Sequence, residues 1–111
     1  MSYASLRLCE AVRHLATNPG DVRARLWAAT EDLWLVSTQE LPVELRSDFE
    51  WIQAMMTKYE PELPHEGNIR ATLRRMQNKT AAKIAERIFE IHRSLERSER
   101  DVDKDGPLTS G

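Results

Sequence analysis

From Asn68 to Arg97 the chain runs for thirty residues without a proline or a glycine, and its apolar side chains keep a helical spacing. Ile69, Leu73, Met76, Thr80 or Ala81, Ile84, Ile88, Ile91 and Leu95 succeed one another mainly at steps of three and four. That spacing sets a single stripe along one side of a helix. Unbroken, such a helix spans about 45 Å. No other segment can match that length, so the rest of the chain must lie along it. Asn68, preceded by the breaker Gly67, is the expected N-cap. The weak point is Gln77–Thr80, where helix propensity dips and Thr80 is able to cap a fresh helix. A continuous helix is the expectation, and a break there is the alternative.

The segments before it read as three shorter helices. Over residues 3–17, Leu8, Val12 and Leu15 share a face. Asn18, Pro19, Gly20 and Asp21 then break the chain, and Asp21 can cap the next helix. This second helix is predicted from Val22 to about Val36, with Val22, Leu26, Ala29, Leu33 and Val36 as its stripe. Arg23 and Arg25 sit in its first turn, the unfavourable end of the dipole for cations, so an acidic neighbour is expected beside them. After a loop over Ser37–Leu41, Pro42 suits the first turn of a third helix. Its stripe is Leu45, Phe49, Ile52, Met56 and Tyr59. Two matching stripes joined by a short loop predict that helices two and three form an antiparallel hairpin against the long helix. Glu60–Gly67 holds Pro61 and Pro64 and reads as an exposed acidic connector.

The fold class is therefore all-α: a small bundle of four helices, or five if the last one breaks, with a long C-terminal helix and a disordered acidic tail. Residues 1–97 form a single helical domain and residues 98–111 a flexible polar tail. The length of 111 residues suits one domain. A hydrophobic fraction of 41% and a charged fraction of 31% fit a soluble helical protein. Cys9 stands alone, which excludes an intrachain disulfide and points to a reducing, cytoplasmic home. Arg7, Glu10 and Arg13 interrupt the first segment, so no secretory leader is expected. No apolar run approaches the roughly 18 residues of a membrane span.

The net charge of −2 gives no global pull toward nucleic acid. Its distribution is uneven. Residues 31–66 hold two basic against nine acidic groups, and residues 67–87 hold six basic groups against Glu86 alone. Arg75, Lys79, Lys83 and Arg87 recur every four residues and would form one row on a continuous helix, with Arg70 and Arg74 as a second pair. Such a row can track a phosphate backbone. It can equally pair with the acidic block across the bundle, through Glu40, Glu44, Asp48 or Glu50, and that is the favoured reading. Trp27 and Trp34 lie seven residues apart beside the second stripe, and Trp51 beside the third. A small bundle needs its large side chains inside, so burial in the seam between helices two and three is expected. Exposed, the three would anchor a protein partner.

Asp101, Asp103, Asp105 and Gly106 match the first half of a calcium loop. The bidentate acid of the twelfth position and the outgoing helix are missing from the pattern, so a polar tail is the better reading. Cys9, Glu10 and His14 cluster on the first helix, yet no CxxC, HxxxH or HExxH spacing accompanies them, and no metal site is expected. There is no phosphate-cradling glycine loop and no nucleophile elbow. The reading is a small helical protein-interaction or accessory module that acts without catalysis or cofactor. Its partner is expected to be another protein, a second copy of the chain included. The overhang of the long helix would call for such cover on Ile84, Ile88, Ile91 and Leu95. The alternative is a nucleic-acid-associated regulatory protein using Arg70, Arg74, Arg75, Lys79, Lys83 and Arg87. Neither a membrane nor a small-molecule substrate is expected.

Overall fold

Local capping sets the first two helices. The Ser2 hydroxyl accepts the Ser5 N–H at 3.1 Å and starts α1, Tyr3–Thr17. Pro19 and Gly20 turn the chain, and Gly20 takes a φ of +98 that a side chain would resist. Asp21 then accepts the Ala24 N–H at 3.0 Å and opens α2, Val22–Trp34. A single 3-10 turn, Thr38–Glu40, is braced by Glu40 accepting the Ser37 N–H at 2.8 Å. Pro42 occupies the cap position of α3, Val43–Met56. After the two-proline connector come α4, Asn68–Arg75, and α5, Asn78–Thr109. The computed structural model describes the backbone of residues 1–109 and the side chains of residues 1–101. Five helices and no strand make the described residues all-α.

The expected continuous helix is broken. Met76 is extended, with φ −78 and ψ 141, and its N–H closes α4 onto the Leu73 carbonyl. Gln77, not Thr80, offers the carbonyl that receives the first N–H of α5, from Ala81 at 3.0 Å. Gly67 rather than Asn68 holds the cap of α4. The break is met by a tertiary contact. Arg23 of α2 donates to the Met76 carbonyl at 3.2 Å, replacing a bond that a continuous helix would have made. Arg23 also bonds its acidic neighbour Asp21 through Nε and Nη2, both at 3.1 Å.

The expected α2–α3 hairpin is not formed either. The hairpin is α1–α2, pinned near one end by Arg7 to Asp32 at 2.8 Å and near the other by Arg25 to the Leu15 carbonyl at 3.2 Å. Ala4, Ala11 and Ala29 are fully buried in this region, and small side chains let two helices approach closely. α3 instead lies antiparallel on α5 and against α4, and scarcely touches α2. α5 is thus the central element, flanked by α1, α2 and α3. Its Ile84, Ile88, Ile91 and Leu95 are all under 5% exposed. Cover for that row comes from the chain itself, so the case for a partner built on it falls. Ser98–Asp101, expected to begin a loose tail, continue α5, and Glu99 accepts the Ser2 N–H at 3.1 Å.

Candidate functional site: a groove beside Trp27

The six cations of the basic block meet different fates because the break at Met76–Gln77 divides their row. Arg70, Arg74 and Arg75 belong to α4, whereas Lys79, Lys83 and Arg87 belong to α5. Three of them pair with the acidic block. Arg74 grips Glu66 with two bonds, at 2.8 and 3.2 Å. Arg75 meets Glu62 at 2.8 Å, and Arg87 meets Asp48 at 2.8 Å. Arg75 also stacks over Tyr59 at 4.3 Å and Arg87 over Trp51 at 4.8 Å, so each clamps its helix to a neighbouring segment. Lys79 and Lys83 are exposed, with no carboxylate partner among the described residues.

The tryptophans do not share a seam. Trp27 is 44% exposed and Trp34 38%, both on the outer flank of α2. Only Trp51 packs partly against the core. The burial expected for all three presumed an α2–α3 seam, which is not formed; Trp27 instead meets Arg70 of α4 and stays partly exposed.

A groove of about 650 Å³ lies between the start of α2, the connector and α4. Trp27, Leu63, Pro64, Leu73 and Arg70 line it, with His65 among the connector residues there. Arg70 stacks on Trp27 with its guanidinium 4.8 Å from the ring centroid. The groove's other arginines are neutralised locally. The Arg74 hydrogen bond holds the Glu66 carboxyl below its ordinary value, and Glu66 in turn raises Arg74. Asp21 is held low first by the Ala24 N–H and then by Arg23. The connector is fixed at its start by Thr72, which is 1% exposed. The Thr72 hydroxyl accepts the Tyr59 N–H at 2.9 Å and donates to the Asn68 carbonyl at 2.7 Å. His65 adopts a left-handed φ of 63, uncommon for a residue with a side chain. In sequence this segment showed only an acidic linker. The signal for more was Leu63, the one large apolar residue held between two prolines.

The groups considered for metal or catalysis stay apart. His14 faces Asp32 at 3.4 Å and Asn18 at 2.9 Å, while Cys9 is half-buried on α1. His92 is 12% exposed and lies 3.8 Å from Glu96. No three His, Cys, Asp or Glu residues converge among the described residues. Of the calcium-loop pattern, Asp101 is exposed, and Asp103 and Asp105 lie outside the described side chains. No described helix is long and apolar enough to cross a membrane. No protein-family model matches the chain, and neither a curated protein nor a solved structure matches it.

Proposed function

We propose that this protein is a cytoplasmic protein-interaction or accessory module, acting by binding another protein and not by catalysis. The observation that carries the reading is the exposure of Trp27 and Trp34 on one flank of α2, in a bundle small enough to want both inside. Leu35, the C-cap residue next to Trp34, is also exposed, at 46%. Exposed tryptophans with a free indole N–H are frequent anchors of protein interfaces. The alternative, a nucleic-acid-associated regulatory protein, draws on Arg70, Lys79 and Lys83, the cations of the block without a carboxylate partner among the described residues.

The test is capture of a partner by the tagged chain from its own cell, washed at low and at high salt. Wild type is expected to hold a protein through the high-salt wash, because apolar burial resists screening. The Trp27→Ala/Trp34→Ala variant, its fold checked by circular dichroism, is expected to lose that protein, by about thirtyfold or more in affinity for a hot-spot pair. Retention by the double variant refutes the reading. Nucleic acid released steeply by salt would favour the alternative. Light scattering at micromolar concentration separates a second copy of the chain from a foreign partner.

A further inference from the structure

We infer that the groove beside Trp27 receives a short acidic peptide segment of a partner protein, with a carboxylate on Arg70 and an apolar side chain between Trp27 and Leu63. The inference rests on the interaction reading above and specifies the chemistry of the partner.

Arg70 supplies the first observation. Its guanidinium lies on the Trp27 ring, and among the described residues it has neither a carboxylate partner nor a hydrogen-bond acceptor. A guanidinium held against a ring keeps its N–H edge free and oriented, which suits two parallel bonds to a carboxylate. The second observation is the charge around it. Arg74 is taken by Glu66 and Arg23 by Asp21, so Arg70 is the uncompensated arginine of the groove. One free cation matches one or two carboxylates, not a run of phosphates.

The third observation is the apolar wall. Trp27 and Leu63 both border the groove, and Leu63 remains 54% exposed. Pro64 restricts the backbone of Leu63 immediately before it, which lowers the entropy lost when a ligand settles there. A single-stranded nucleic acid fits these features less well. Arg70 already covers a face of the indole on which a base would stack.

The experiment titrates isotope-labelled full-length chain with a short capped peptide in which aspartates flank a Leu-Phe pair. Two further probes are the same peptide with asparagines for the aspartates and a thymidine oligonucleotide. The readouts are the NMR signals of the Trp27 indole N–H and the Arg70 Nε–H. The aspartate peptide is expected to move both signals, and the asparagine peptide to bind about tenfold more weakly. Arg70→Ala is expected to weaken the aspartate peptide by about tenfold, and Arg70→Lys to restore only part of that loss. Both variants alter an exposed side chain, and an unchanged amide spectrum outside the groove confirms their fold. An aspartate peptide that leaves both signals still, or that binds no better than its asparagine counterpart, overturns the inference. So does an oligonucleotide that moves them at lower concentration than the peptide. A silent groove combined with partner loss in Trp27→Ala/Trp34→Ala overturns this inference alone and leaves the interaction reading standing.

Discussion

Replacing Thr72 with valine removes one hydroxyl and almost no volume, which makes it a clean probe of how the connector is held. The hydroxyl is the acceptor for the Tyr59 N–H, at 2.9 Å, and a donor to the Asn68 carbonyl, at 2.7 Å. Asn68 sits in the first turn of α4, so its carbonyl keeps its helical partner after the change. The Tyr59 N–H has no such alternative, because it lies beyond the end of α3. Leaving a buried donor unpaired costs about 1–3 kcal/mol. Tyr59 is only half-buried, so water reaches part of the vacancy and the cost falls toward the lower end, about 1–2 kcal/mol. With a urea dependence of about 2 kcal/mol per molar, the unfolding midpoint should drop by roughly 0.5–1 M. Amide hydrogen exchange supplies the local readout: Tyr59 should be protected in wild type and lose that protection in Thr72→Val. An unchanged midpoint together with an equally slow Tyr59 amide would refute the anchoring role.

Two further perturbations probe the core and the latch. Ile88 is 0% exposed at the middle of α5, so Ile88→Ala should cost about 2–5 kcal/mol and lower the melting temperature by more than about 8 °C; an unchanged melting curve would remove α5 from the centre of the bundle. Glu66 and Asp21 have folded-state pKa values below their ordinary 4.5 and 3.8, so their contribution is complete above those values and is lost as pH falls through the lower folded ones. The Arg74 Nε–H signal should hold from pH 7 down to about 4.5 and shift only in stronger acid, and movement between pH 7 and 5 would contradict the pairing.

The helices were legible in the sequence because their ends are encoded locally. Asp21 caps α2 through its own side chain, Gly20 supplies the positive φ of the turn before it, and Pro61 and Pro64 exclude a helix from the connector. The packing partners were not legible, since an apolar stripe states that a face is buried and not by what. The stripe of α2 is satisfied by α1 and α5 and that of α3 by α5 and α4, and nothing in their spacing prefers a hairpin with each other. The same holds for the break at Met76. Gln77–Thr80 was visibly weak, but the residue that donates to the freed carbonyl is Arg23, distant in sequence. Only the fold brings it there.

The break at Met76 also shapes the candidate site. A continuous helix would have kept Arg75, Lys79, Lys83 and Arg87 in a single row, the arrangement suited to a phosphate backbone. With the chain extended at Met76, the row is cut between Arg75 and Lys79. Arg75 and Arg87 become clamps on Tyr59 and Trp51, each also holding a carboxylate. Half of the six cations of residues 67–87 are therefore taken up within the molecule, by the acidic block that precedes them. Arg70 differs because its aromatic partner, Trp27, brings no carboxylate with it. Charge counting along the sequence could not separate Arg70 from Arg74, four residues away on the same short helix. The distinction rests on Glu66, whose side chain is 6% exposed beneath Arg74 and is not shared with Arg70. Thus the groove's one open guanidinium comes from where the connector ends, not from the spacing of the basic residues.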